Sequence, residues 1–204
     1  MANGFLSSRA RIFAFMLAVS VVGNALDLIG TYIAQPTLAT EGNPIYRLLT
    51  ARGVHVTWPM VFLGKSVVIA AAAWLTTICF RIVPRNYPEP GASLGEFFKH
   101  TFNRKDVSIL RSLFSLSKTR IGTLTLIGPS VLLAGPYYVY LGYGNLAWLY
   151  RWPDFSALHI GFVRLDPIVF VCAIGAFWGA VYLMWLDYRI STENQPSPSV
   201  LQPS

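Results

Sequence analysis

The chain has 204 residues, of which 54% are hydrophobic and 12% charged, and its formal net charge is +7. A soluble domain of this length does not need so much apolar surface, so the composition excludes an ordinary globular enzyme fold and points to the bilayer. The positive charge does not indicate nucleic acid, because Arg81, Arg85, Lys99, Arg104, Lys105, Arg111, Lys118 and Arg120 gather in one segment between apolar runs.

A bilayer core about 30 Å thick is crossed by about 20 apolar residues in a helix. Four runs meet that length: 12–34, 58–80, 121–141 and 167–186. They predict an all-α integral membrane bundle of four transmembrane helices over 1–190. Its loop 81–120 is cytoplasmic because it holds most of the positive charge. An even number of crossings then puts both termini inside, in agreement with Arg9, Arg11 and Arg189.

The first run follows Arg9 and Arg11 and contains Gly23-Asn24-Ala25, the outline of a secretory signal with its cleavage site. The apolar stretch continues to Ala34, longer than a signal core requires, so it reads as a retained helix. Ser20, Asn24, Asp27 and Thr31 recur along it at four, three and four residues and share one face. A polar stripe within lipid turns inwards, towards other helices.

In the outer loop Asn43-Pro44 and Gly53 bracket IYRLLTAR with helix start and stop signals, predicting a short helix on the outer membrane face. Ile45, Leu48 and Leu49 would face lipid or protein.

The second run carries Lys65 seven residues from its start, and Asp27 lies seven residues from the end of the first. Both are thus about 10 Å below the outer surface. A lone charge at such a depth costs roughly 3 kcal/mol on insertion scales, so each requires a partner. Antiparallel neighbours joined by a short loop supply one, and an Asp27–Lys65 pair is expected. Glu41 and Asn43 could fold back over the stripe, completing a polar site of Asp27, Lys65, Asn24, Thr31, Glu41 and Asn43.

The basic loop opens with Pro84, Pro88 and Pro90. Leu94, Phe97, Phe98 and Phe102, then Ile109, Leu110, Leu113 and Phe114, recur at helical spacing among basic residues. The pattern predicts one or two interfacial helices over 94–120 against anionic lipid headgroups, or against a partner protein. In the third run Gly128-Pro129 and Gly135-Pro136 predict a bend. Tyr137, Tyr138, Tyr140, Tyr143, Trp148, Tyr150 and Trp152 form an outer aromatic belt extending into the link before the fourth run.

Asp166-Pro167 starts the fourth helix, and Gly175 and Gly179 with Ala176 and Ala180 form small-xxx-small pairs suited to helix packing within the bundle or with another subunit. The tail 191–204, rich in Ser, Pro and Gln, reads as disordered.

Cys79 and Cys172 have no metal-ligand spacing, and His55 and His159, even with Glu41 or Asp154, form no metal motif. Neither a cofactor motif nor a nucleophile motif is present, and no catalytic residue is assigned.

The stretch NALDLIGTYIAQPTLATEGNPIYRLL, followed by GKS, resembles a family of small uncharacterised prokaryotic membrane proteins. The shared pattern is Asp27 and Thr31, then Glu41-x-Asn43-Pro44, then Lys65, within about the first 80 residues. It implies a prokaryotic inner-membrane location without implying an activity. Three functions are expected in order: a non-enzymatic structural or accessory subunit of a membrane complex, a small ion- or proton-coupled transporter or channel-like protein using the polar site, and a membrane enzyme facing outwards.

Overall fold

A computed structural model describes residues 2–38, 44–102, 123–151, 158–160, 163–165 and 167–193. The described chain is helical apart from one antiparallel hairpin. Its elements are α1 (Ala2–Ala34), α2 (Pro44–Ala51), α3 (Trp58–Ile82), α4 (Leu94–Phe102), α5 (Ile127–Leu132), α6 (Gly135–Tyr150), β1 (Leu158–Ile160), β2 (Val163–Leu165) and α7 (Pro167–Glu193). Single 3-10 turns follow α3 and precede α5.

Among the described residues, three helical stretches are long and apolar enough to cross a membrane: Arg9–Ala34, Trp58–Asn86 and Ile168–Glu193. The outward faces are apolar as well, with Phe15, Ile29, Phe62, Val67, Trp74 and Val171 all exposed. Such all-round apolar helices suit a lipid environment and not water.

The apolar run 121–141 is not one continuous helix. Pro136 has no N–H and its ring would clash with the carbonyl one turn back, so α5 stops at Leu132 and α6 begins at Gly135 with proline in its first turn. Ala134 N–H bonds Val131 O at 3.2 Å and Tyr137 N–H bonds Ala134 O at 3.0 Å, three-residue spacings that tighten the chain across the break. Helix α6 then continues nine residues past the end of the run, taking in Tyr143 and Tyr150, which the sequence assigned to a link. It ends at Arg151 in the left-handed conformation, φ 55°.

Helix α2 occupies the span that Pro44 and Gly53 predicted, with Gly53 at φ 80° just beyond its end. Tyr46 and Leu49 pack with Val56, Val61 and Trp58, while Ile45 and Leu48 stay exposed. Helix α7 runs seven residues further than its apolar run, to Glu193.

Close packing is set by glycines in α1 and α6, not by the small residues of α7. A Cβ on Gly23 would lie 2.5 Å from Gly135 O, and one on Gly30 would lie 2.5 Å from Gly142 O. The two pairs ascend together, so α1 and α6 are parallel with backbones in contact, and this is the most extensive helix interface. Gly128 does the same for α5 on α3, where its Cβ would meet Thr76 N at 2.7 Å.

On α7, Ala176 and Ala180 face inwards, but Gly175 looks into open space and Gly179 meets only the tip of Leu133. A small-residue pattern fixes spacing along a helix but does not choose which face meets a neighbour.

Candidate functional site: two buried ion pairs on one helix

Ser20, Asn24, Asp27 and Thr31 are all buried, and α1 has no other buried polar residue among those described. The stripe faces the bundle because its opposite face, carrying Val22, Ile29 and Ile33, is apolar and suits lipid.

Lys65 Nζ lies 2.6 Å from Asp27 Oδ2 and 3.3 Å from Asn24 Oδ1. Asn24 is aimed by its own helix, since its Nδ2 donates to Ser20 O at 2.9 Å and leaves Oδ1 towards the ammonium. The Lys65 side chain is 21% exposed and that of Asp27 9%. Each charge therefore compensates the other's desolvation, and removing one partner would strand the other.

Helix α6 closes the site because Gly142 meets the backbone at Leu26 and Asp27. Tyr138 and Asn145 flank Gly142 at four and three residues, on the same face. Asn145 Nδ2 donates to Thr31 Oγ1 at 2.9 Å, and Lys65 Nζ sits 5.0 Å from the Tyr138 ring centroid. The sequence placed Tyr138 in the belt and Asn145 in a link. The seven-residue spacing of Gly23 and Gly30, matched by Gly135 and Gly142, was the available signal that this face of α6 reaches the stripe.

Above the pair, α1 and α3 part into a cleft of about 640 Å³ lined by Leu28, Ile29, Tyr32, Trp58, Pro59 and Phe62. Trp58 closes its end, with Nε1 donating to Pro36 O at 2.7 Å and its ring 5.3 Å from that of Tyr32. Glu41 and Asn43, expected over this end, lie outside the described residues.

A second pair, absent from the sequence reading, joins the other end of α1 to α7. Arg9 Nε lies 2.9 Å from both oxygens of Asp187, whose side chain is fully buried. Tyr87 donates its hydroxyl to Asp187. Burial, and then the Asp187 charge and hydrogen bond, raise the Tyr87 hydroxyl above the ordinary tyrosine range.

The segment after α3 is tied to the same place. Tyr188 donates to Glu89 O and accepts from Ala92 N–H at 2.9 Å, while Trp185 Nε1 donates to Ala92 O at 3.1 Å.

This strap carries α4 onto the bundle. Phe97, Phe98 and Phe102 are buried, with Phe97 against Tyr87 and Tyr188 and Phe98 against Phe177 and Trp178. The aromatic face expected at the lipid interface is thus spent on the protein's own helices, and Glu96, Lys99 and His100 stay exposed. Residues 103–122, with the second half of the expected amphipathic segment, lie outside the described chain.

Cys79 and Cys172 are free, and among the described residues no group of three His, Cys, Asp or Glu is placed to hold a metal. His55 is exposed on the turn before α3. Fold and site together define the class, a helical protein suited to the membrane with a compensated charge pair inside its apolar core. Compared with protein-family models, curated proteins and solved structures, the chain matches none.

Proposed function

We infer that the chain is a multi-pass integral membrane protein with four crossings, the fourth supplied by the broken α5–α6 segment. Both ends and the basic loop are cytoplasmic, and the protein serves as a non-enzymatic structural or accessory subunit of a membrane complex. The resemblance over Asp27, Thr31, Glu41, Asn43, Pro44 and Lys65 favours a prokaryotic inner membrane.

The parallel course of α1 and α6 supports this topology, because two crossings in the same direction need a third, opposite one between them, and α3 supplies it. Reporter fusions after Phe102 and after Arg151 test the orientation: the first should report cytoplasm and the second the outer side.

The observation that carries the structural role is the 2.6 Å contact between Lys65 and Asp27. Each charge neutralises the other and holds it in one geometry, as a structural pin between α1 and α3 requires. The charge exchange Asp27→Lys with Lys65→Asp tests this. A structural pin recovers folding in the exchanged protein after each single change has destroyed it. A stoichiometric partner should also co-purify in mild detergent, and a lone monodisperse species counts against the subunit role.

One observation favours a transporter or channel-like reading of the same stripe. Among the described residues, Ser20 Oγ and Gln35 Oε1, at its two ends, are buried without a hydrogen-bond partner. Unpartnered polar atoms at both ends of a charged stripe suit water or a small cation passing between them. Under that reading the exchanged protein folds and its complex assembles, but cation or proton flux in proteoliposomes stays lost.

A further inference from the structure

Helix α7 carries Val171, Ile174, Trp178, Tyr182, Trp185 and Arg189 at spacings of three and four, which places them along a single face. Val171, Ile174, Trp178 and Tyr182 are exposed, so this face belongs to the lipid side. The rings of Tyr182 and Trp185 lie 5.7 Å apart, and the Arg189 guanidinium sits 5.3 Å above the Trp185 ring. The stripe is therefore an apolar and aromatic track with a cation at its C-terminal end.

At that end the strap stands off from α7 and leaves a cavity of about 310 Å³. It lies between residues 90–93 on one side and Trp185, Arg189, Thr192 and Glu193 on the other. Tyr188 and Trp185, which hold the strap in place through Glu89 and Ala92, also fix the cavity's width.

The hydroxyl of Ser93 is spent on Glu96 and that of Thr192 on backbone carbonyls. Besides its place over the Trp185 ring, Arg189 is paired among the described residues with Glu193 alone, at 2.7 Å, in an exposed pair one helical turn apart. Such a pair is worth about 0.3–0.5 kcal/mol, little enough for a stronger anion to displace. In this pair a single Glu193 oxygen takes both Arg189 Nε and Nη2, whereas a phosphodiester can set two oxygens on the planar fork.

Resting on the membrane reading above, we propose that this cavity binds the headgroup of an anionic phospholipid of the cytoplasmic leaflet. Arg189 takes the phosphate, Trp185 and Tyr182 face the glycerol and ester region, and an acyl chain runs along Trp178 towards Ile174. This site is additional to the contact expected of the basic loop, whose residues 103–122 lie outside the described chain. Glu193 competes with the lipid, and its removal strengthens binding.

The test uses the full-length protein in mild detergent, with phosphatidylglycerol or phosphatidylcholine added in equal amounts and bound lipid counted by native mass spectrometry. One phosphatidylglycerol should be retained in preference to phosphatidylcholine. Arg189→Gln should cut that preference about tenfold, the loss of one charge-assisted phosphate contact. Glu193→Gln should raise retention about twofold, the worth of the competing ion pair. Trp178→Ala with Tyr182→Ala should weaken both lipids together.

Equal retention of the two lipids, or an unchanged preference in Arg189→Gln, overturns the site. Displacement by glycerol 3-phosphate at equimolar concentration overturns the lipid in favour of a soluble phosphate compound. Extraction of the wild-type protein from membranes by alkaline carbonate is a separate result. It removes the membrane reading itself, and the lipid site with it, whereas carbonate resistance with equal lipid retention removes the site alone.

Discussion

Helix α1 enters both buried ion pairs, giving the acid Asp27 to Lys65 of α3 near its C-terminal end and the base Arg9 to Asp187 of α7 near its N-terminal end. The Asp27 pair lies inside the apolar runs and is a single ammonium to carboxylate contact, helped by Asn24 and a tyrosine ring. The Asp187 pair lies where the runs end, and its carboxylate receives Arg9 on both oxygens and the Tyr87 hydroxyl as well. Asp187 is also the more completely enclosed, 0% against 9% side-chain exposure. The first pair fixes one helix to another, while the second also anchors the strap that positions α4.

The largest test of that contrast removes each cation. Arg9→Met should cost about 3–5 kcal/mol, since it leaves a fully enclosed carboxylate unpaired, and Lys65→Met should cost about 3 kcal/mol. Denaturation in detergent by increasing SDS measures both. Lys65→Met combined with Asp27→Leu should restore stability to near wild type, because an apolar pair avoids both desolvation costs.

Smaller but still large, Gly23→Ala should cost about 1–3 kcal/mol in the same assay, since its Cβ would meet the Gly135 backbone. Gly175→Ala, facing open space, should be neutral or stabilising by up to about 1 kcal/mol. Equal effects at the two positions would refute the assignment of close packing to α1 and α6.

Tyr87→Phe should cost about 1–3 kcal/mol through the hydroxyl lost from a buried carboxylate. It also gives the second pair a pH signature. The folded state holds the Tyr87 proton more tightly than the unfolded state, because of burial and then the Asp187 charge. That stabilisation is complete below about pH 10, the ordinary tyrosine value, and declines above it by about 1.4 kcal/mol per pH unit. Stability measured from pH 9 upwards should fall less steeply in Tyr87→Phe than in wild type.

The smallest effect is at the start of α4, where Ser93 and Glu96 bond each other reciprocally. The side-chain bond from Ser93, and then its backbone N–H, hold the Glu96 carboxyl below its ordinary value. The contribution is present at neutral pH and is lost as the pH falls through that lowered value. Amide protection factors at the first turn of α4, with the intrinsic pH dependence of exchange divided out, should fall on acidification in wild type and stay constant in Glu96→Gln.

Much of the fold was legible because it depends on local order. Run length predicted four membrane-length helices, of which three are continuous; proline and glycine set the break at Ala134 and the end of α2, and a spacing of four, three and four set the buried stripe. The contact of Asp27 with Lys65 was readable for an additional reason, since two opposite charges at equal depth in adjacent helices have few other ways to be satisfied.

Arg9 and Asp187 escaped the same reasoning because each lies just outside its apolar run. There a charge needs no partner until tertiary structure buries it. Asn145 and Tyr138 reach the stripe only because glycines at seven-residue spacing let α6 press onto α1. Composition and periodicity thus determined a helical, membrane-suited chain and the residues that must turn inwards, since those follow from hydration and helix geometry alone. Which helices touch, which carboxylate is most enclosed and where the aromatic face of α4 is spent depend on contacts between residues up to 178 positions apart, and only the folded chain decides them.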